Sequence, residues 1–435
     1  MVKKGWVTTT IEDVCVKITD GSHWSPKSVD EGYYMASVKD MLDYGFDLSS
    51  CRKISKEDFD KLVKNDCKPL NNDVLIAKDG SYLKHIFVWN KEQNLVILSS
   101  IAILRPNLKK IYPYYLSKYL SSPYIKKGMK GYVTGAALPR IILKDFKRFK
   151  IEIPKDIELQ KKIATILSNY DNLVENNEKR IKLLERIAKR IYEEWFVNFK
   201  FPGHEDVKMM DSKTDFGKIP EGWEVGNVEE IASIQRGVSY KSSELAEEES
   251  IPFVNLKCML PGGEGGFRSS GLKRYNGKYK EVQKLIPGDI VMGITEMTQK
   301  REIIARPARI PEMNEKEITF SMDLVKIIPK ESISKDWLYS FFKYSSFGIE
   351  VKEFANGVNV LHLNPQHIIN YKMVIPSKDI MEKFINSISK LFILNDNLQL
   401  KNQNLLKTRD LLLPRLISGE MDVSELNIKL PEIEV

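Results

Sequence analysis

Hydrophobic and polar positions follow two different rhythms along this chain. Up to Pro154 the apolar residues come in short β-type runs punctuated by Gly, Pro, Asn and Asp. Asp73 to Ala77, Ile86 to Trp89, Val96 to Leu104 and Ile151 to Ile153 are predicted strands. Leu95 to Leu104 reads as one buried strand, interrupted only by Ser99 and Ser100. Helical stretches such as Pro113 to Leu120, and Asp336 to Phe342 in the second half, lie among such runs. After Pro154 the period changes to seven. Leu167, Tyr170, Val174, Asn177, Ile181, Leu184, Ala188, Ile191 and Trp195 alternate steps of three and four. No Pro or Gly falls between Ile157 and Phe199, so the pattern predicts one helix of roughly 60 Å. A second such helix begins after Pro376, with Leu391, Leu398, Leu405 and Leu412 at seven-residue spacing. Polar Asn395, Gln399 and Asn402 interrupt its apolar face, and Pro414 and Gly419 are its stop signals.

The same order of elements occurs twice. Gly5-Trp6 recurs as Gly222-Trp223 at an offset of 217, and Asn72-Asp73-Val74-Leu75 resembles Gly288-Asp289-Ile290-Val291 at 216. Gly135, Ile153-Pro154 and Leu183-Leu184 map to Gly357, Ile375-Pro376 and Leu405-Leu406 at 222. A long repeat in two copies implies two similar domains related by a pseudo-twofold axis within one chain. Neither long helix is apolar all round, so each needs a partner for its stripe. Antiparallel pairing of the two would set the globules at opposite ends of a rod; the alternative is that each helix packs on its own globule. Asn177 and Gln399 occupy equivalent positions in the repeat, either as a buried polar layer that fixes register or as partly exposed sites.

The expected fold class is α+β: two similar mixed α/β globules joined by two long antiparallel coiled-coil helices in a pseudo-twofold internal repeat. The expected boundaries are a first globule at 1–154, a helix at 155–200, a polar linker at 201–220, a second globule at 221–376, a helix at 377–420 and a tail at 421–435. The predicted helix core is Leu167, Tyr170, Val174, Asn177, Ile181, Leu184, Ile191, Leu391, Leu398, Leu405 and Leu412.

Composition narrows the function classes. Apolar residues make up 42% and charged residues 29% of the 435, ordinary for a folded protein. No apolar run approaches the ~20 residues of a membrane span, and the N-terminus lacks the apolar core of a signal peptide. The four cysteines, Cys15, Cys51, Cys67 and Cys258, form no CxxC pair, and small buried residues in a reducing cytoplasm are expected. Net charge is 67 − 59 = +8, and it is uneven. From Arg105 to Lys150 there are twelve Lys/Arg against the single acid Asp145. That is the footprint of a polyanion partner, although a solvated surface fits the composition equally well.

Catalytic motifs are missing. The Asx-Pro-Pro-aromatic motif of an amino-methyltransferase is absent; Asn364-Pro365-Gln366-His367 lacks the second Pro and the aromatic. Gly271 to Lys278 departs from a P-loop in spacing and in having Tyr279 where Ser or Thr is needed. His362 and His367 are five apart, wrong for an HExxH site, and no metal cluster or cofactor turn is recognisable. A duplicated, basic module on a long rod without an active site describes a reader of two short sites separated by a spacer.

Several motifs, in order, resemble the specificity (S) subunit of type I restriction-modification systems. Asp20-Gly21-Ser22-His23-Trp24-Ser25-Pro26 resembles the DG-x-H-x-x-P element of the family's target recognition domains. Arg236-Gly237-Val238-Ser239-Tyr240 resembles its RG-x-S-Y alternative. Asp73-Val74-Leu75 with Lys78-Asp79-Gly80, and Pro287-Gly288-Asp289-Ile290, are similar to the family's GD-I-L strand and following turn. The loops Gly135 to Ile141 and Gly357 to Leu363 are similar to its late Gly loop. Trp195 to Phe199 with Gly217 to Trp223, and Leu411 to Glu420, look like its central and C-terminal regions.

The resemblance implies that each recognition domain contacts one half of a bipartite site in double-stranded DNA and that the rod sets the spacer. It implies that two copies of the modification (methyltransferase) subunit dock on the chain and that restriction (helicase-nuclease) subunits join them. It also implies a non-catalytic chain with no cofactor of its own, S-adenosylmethionine and ATP being carried by the partners. A coiled-coil scaffold or a silent specificity subunit is the alternative. The two domains differ in their motifs and should read different half-sites.

Base reading needs donors and acceptors at groove edges, and phosphate contact needs cations or backbone N–H groups. The DNA-binding candidates of the first domain are Ser22, His23, Lys78, Asp79, Ser81 and Lys84, with Lys126, Lys127, Lys130 and Arg140 for phosphate. Those of the second are Arg236, Ser239, Tyr240, Lys241, Thr295, Gln299, Lys300 and Arg301. Each Lys is equally readable as a solvated charge and His23 as a loop brace, while Gly21, Gly80 and Gly237 read first as turn formers.

Overall fold

The computed structural model describes residues 4–430 apart from 81–82, 130–132, 135–139, 247–249, 264, 314 and 316. It divides into two units, Met1–Val174 with Leu405–Val435, and Glu175–Asn404. Each unit combines one α/β globule with segments of both long helices.

The first globule is built on a four-stranded antiparallel sheet in the order Cys15–Asp20, Ile101–Pro106, Val74–Ala77, Ile86–Val88. Its central strands read as continuous apolar runs because both faces are covered. Val74, Ile76, Ala102 and Leu104 point to one core, which also holds Tyr115, Leu116, Leu120 and the helix residues Ile163 and Leu167. Leu75, Ala77, Ile101 and Ile103 point to a second core with Phe46, Phe87 and Trp89. The expected strand Leu95 to Leu104 is in fact two. Leu95–Ile97 runs parallel to Tyr33–Ala36 in a separate three-stranded sheet, and Ile101–Pro106 enters the main sheet. Between them the peptide groups of the serine turn are taken up by other segments; Ser100 O, for instance, accepts from Lys78 N at 2.9 Å. That long-range bonding leaves no trace in a local apolar pattern.

The second globule repeats the plan. Its sheet runs Ala232–Arg236, Leu324–Pro329, Ile290–Gly293, Pro307–Arg309, and Ile251–Val254 pairs in parallel with Ile318–Phe320 as Tyr33–Ala36 does with Leu95–Ile97. In both copies the aspartate of the GD-I-L element is buried and structural. Asp73 accepts from Leu70 N at 2.8 Å and holds the Arg105 guanidinium at 2.8 and 2.9 Å. Asp289 accepts from Ile286 N at 3.0 Å and pairs with Lys326 and Lys335, each at 2.6 Å.

The first long helix is Ile157–Tyr192, closed by a π-helical turn at Glu193–Val197. The second, Lys378–Ile417, continues through Pro414, which was expected to stop it. The proline forgoes one intrahelical bond, a loss offset by Leu413, Leu416 and Ile417 around it, which are buried against Ile163, Ala164 and Leu167. Gly419, with φ +66°, supplies the actual stop.

The helices pair antiparallel within each unit. In the first unit Arg409 reaches Asp171 at 2.7 Å. In the second unit Asn177 lies against Asn402, and Tyr192 against Phe384. Of the expected helix core, Leu167, Val174, Asn177 and Leu398 are buried, whereas Tyr170, Ile181, Leu184, Ile191, Leu391, Leu405 and Leu412 are only half-buried. Asp171, Tyr192, Phe392 and Leu413, each one residue further on, are buried instead. A strict seven-residue seam assumes a two-helix contact alone; here each helix also faces a globule, so a wider stripe is covered. Of the two equivalent polar positions, Asn177 is buried and Gln399 half-buried, and they are bonded to different partners. The Asn177 amide donates to the Asn402 side-chain oxygen at 2.7 Å, and Gln399 donates to Asn395 on its own helix at 2.6 Å.

The stretch read as a polar linker forms a hairpin, Met209–Asp211 with Lys218–Pro220. Its start and end are apolar anchors: Phe201 stacks on Trp223 at 5.5 Å between ring centres, and Ile219 is buried. Trp195 and Phe196 join this aromatic core with Phe384 and Trp337. The four cysteines are free thiols, and burial pushes Cys258 up to about 11. Among the described residues no helix is long and apolar enough to cross a membrane.

Candidate nucleic-acid interface

Beyond the ends of the sheet strands, each globule brings four segments side by side. In the first, Gly21 N donates to Ile101 O and Ser22 N to Ile97 O, at 3.1 and 2.9 Å. Lys78 N donates to Ser100 O, and Ile141 N to Lys78 O at 3.0 Å. In the second, Gly237 N donates to Leu324 O and Val238 N to Phe320 O, at 3.4 and 2.7 Å. Ile294 N donates to Asp323 O, and Leu363 N to Ile294 O at 2.8 Å. The two frames correspond bond for bond. Asp20-Gly21-Ser22-His23 therefore occupies the place of Arg236-Gly237-Val238-Ser239, although the side chains differ.

The glycines of these two motifs are needed for close approach. A Cβ on Gly21 would lie 2.1 Å from Ile97 O, and one on Gly237 would lie 2.3 Å from Ser321 O. Neither has a left-handed φ, unlike Gly80, a turn former at φ +71°.

On the first frame Asp20 is the hub. Its carboxylate pairs with the buried Lys78 ammonium, and the exposed His23 ring lies 3.4 Å away. Ser22 is buried and its hydroxyl donates to Trp24 O at 2.6 Å. Asp79 bridges to Arg140, whose exposed guanidinium lies 3.1 Å from the carboxylate. Ser22, His23, Lys78, Asp79 and Arg140 are thus brought together, with His23 and Arg140 facing solvent. Lys84 is exposed in the loop that follows. Ser81, Lys130 and residues 135–139 of the late Gly loop lie outside the described residues. Lys126 and Lys127 sit apart on the helix Pro123–Gly128; Lys127 is exposed, while Lys126 is half-buried and burial lowers its ammonium pKa.

The basic stretch is therefore not one surface. Arg105 and Lys118 are spent on Asp73 and Asp171 inside the unit.

On the second frame Thr295–Glu296 pairs with Leu361–His362, and Thr295 is buried with its hydroxyl 3.5 Å from His362 Nδ1. Glu296, not singled out in the sequence, organises the loop after it. Its carboxylate accepts from the Thr298 hydroxyl at 2.6 Å and from Glu302 N, Ile303 N and Ile304 N at 3.0, 2.8 and 3.3 Å. The loop it braces carries Gln299, Lys300 and Arg301. Gln299 donates to Val358 O at 2.8 Å, and Arg301 pairs with Glu353, while Lys300 is exposed at the tip. Arg236, Ser239 and Lys241 are exposed around the Gly237 turn, and Tyr240 packs edge-on against Phe253 at 4.9 Å. No sequence signal separated Glu296 from a surface acid.

Two copies of one α/β frame, each presenting a different set of polar loops and each packed on the helix segments of its own unit, define a tandem recognition module. Residues 3–186 and 220–407 match the family model described as the type I restriction modification DNA specificity domain. The chain belongs to this family, as a type I restriction-modification specificity subunit with two such domains. It is 27% identical to the MjaVIII specificity subunit of Methanocaldococcus jannaschii over 410 residues, 91% of this chain and 88% of that one. It is 23% identical to the HindI specificity subunit of Haemophilus influenzae, covering 78% of this chain and 84% of that one. The crystal structure of a type I S subunit from M. genitalium shares the fold, with a TM-score of 0.56 at 15% identity over 95% of this chain and 96% of that one.

Proposed function

We propose that each domain reads one half of a bipartite site in double-stranded DNA through the four-segment edge described above, and that the helix pair sets the spacer. The observation that supports this is the exchange of side chains on a common frame: Asp20, His23 and Arg140 in one copy, Arg236, Ser239 and His362 in the other. Different exposed groups on a matched backbone, His23 and Arg140 against Arg236, Ser239 and His362, are what two sequence preferences require. A 36-residue helix is about 54 Å long, against about 34 Å for one turn of B-DNA. In this reading two modification subunits dock on the chain, restriction subunits join them in the cytoplasm, and S-adenosylmethionine and ATP belong to those partners.

The test is selection of duplexes from a random pool by the full chain co-expressed with its modification subunit. A split motif with a fixed gap is expected. His23→Ala should relax one half and Arg236→Ala the other, each by roughly 1–3 kcal/mol of discrimination. Matched seven-residue insertions near Leu184 and Asn395 should lengthen the gap by about three base pairs, since seven helical residues rise about 10.5 Å against about 3.4 Å per base pair. A continuous motif, or an unchanged gap after insertion, would refute the ruler. Assembly without any selected motif would indicate a silent subunit or a scaffold.

A further inference from the structure

The loop from Asn356 to His362 is closed by reciprocal backbone bonds, Asn356 N to His362 O at 3.0 Å and His362 N to Asn356 O at 2.8 Å. Gly357 has φ +144°, and a Cβ there would lie 1.9 Å from Val360 O, so the turn admits only glycine. Gln299 donates to Val358 O at 2.8 Å and ties this knuckle to the loop bearing Lys300 and Arg301. On a backbone braced in this way the Val358 side chain is 90% exposed. Single exposed apolar residues are common. This one differs in standing at the tip of a rigid knuckle, beside groups suited to hydrogen bonding: Asn359, His362, Gln299 and Lys300. Valine is stiff at χ1, so little further freedom is lost when it makes contact.

In the major groove an A·T pair shows hydrogen-bonding atoms on adenine and a 5-methyl group on thymine, and only an apolar side chain recognises the methyl. We propose that Val358 is a base-reading residue of the second domain and seats against the 5-methyl group of a thymine in its half-site. This rests on the DNA-reading function proposed above.

The test uses the full chain with the duplex it selects from a random pool, each thymine in turn being replaced by uracil to remove only the methyl. One substitution in the second half-site should weaken binding about fourfold, the effect of withdrawing one buried methyl from contact. Val358→Ala should bind the parent duplex correspondingly more weakly and no longer distinguish uracil from thymine at that position. The proposal is overturned if a split motif is selected but no uracil substitution in that half matters, or if Val358→Ala weakens specific and random duplexes equally. Selection of no motif would overturn it together with the reading beneath it, and so separates the two failures.

Discussion

Glu296→Gln tests whether the reading loop of the second domain is preformed. The side chain is 2% exposed and accepts four hydrogen bonds, one from a hydroxyl and three from backbone amides. Burial alone would push its carboxyl up, but the Thr298 hydroxyl and the amides of Ile303, Glu302 and Ile304 outweigh this and hold it below the ordinary glutamate value. Glutamine keeps the shape but offers one acceptor oxygen. With that oxygen on Ile303 and Ile304, its NH2 can still meet the Thr298 hydroxyl, but Glu302 N is orphaned. Leaving that partly buried amide without an acceptor costs up to about 1–3 kcal/mol, and losing the charge weakens the remaining bonds. A total near 3 kcal/mol corresponds to roughly a hundredfold rise in loop opening.

Hydrogen exchange followed over residues 297–304 should show that loss of protection, while Ile290–Gly293 in the sheet keeps its own. Duplex selection should lose the second half-site and retain the first. The sign with pH follows from the depressed folded pKa. The stabilisation is complete above the ordinary value of 4.5 and is lost as pH falls through the lower folded value. Wild-type protection should then approach that of the variant. Unchanged exchange in Glu296→Gln at neutral pH would refute the account of a carboxylate-braced loop.

Gly21→Ala and Gly237→Ala should each destabilise by more than about 2 kcal/mol, because the added Cβ meets backbone oxygens at 2.1 and 2.3 Å that cannot withdraw without breaking the sheet-end frame; thermal melting of the two variants measures this. Asn177→Leu alone should cost about 1–3 kcal/mol by leaving the Asn402 side-chain oxygen without its donor, and adding Asn402→Leu should recover most of it. Denaturant titration of the four-member cycle checks the coupling, and additive losses would show that the pair does not act as a unit.

Much of the architecture was legible in the chain. A period of seven that begins after Pro154 and again after Pro376 could only be long helices, because a helical stripe repeats in sequence whatever it packs against. The offsets of 216 to 222 announced two copies for the same reason: a shared backbone frame demands glycine, aspartate and apolar residues at matching places. What those residues do was decided only in three dimensions. Gly21 is glycine because a neighbouring strand passes it. Asp73 and Asp289 bind cations inside the fold, and Lys78 is a buried partner of Asp20. Lys118 and Arg409 converge on Asp171 from segments far apart in sequence, so composition counted as free charge what packing neutralises. A side chain's residue type is local, but its exposure and its partner depend on every segment that folds against it. The helices and the repeat, being periodic, could therefore be read from the sequence, whereas the division of polar residues between frame and reading surface could not.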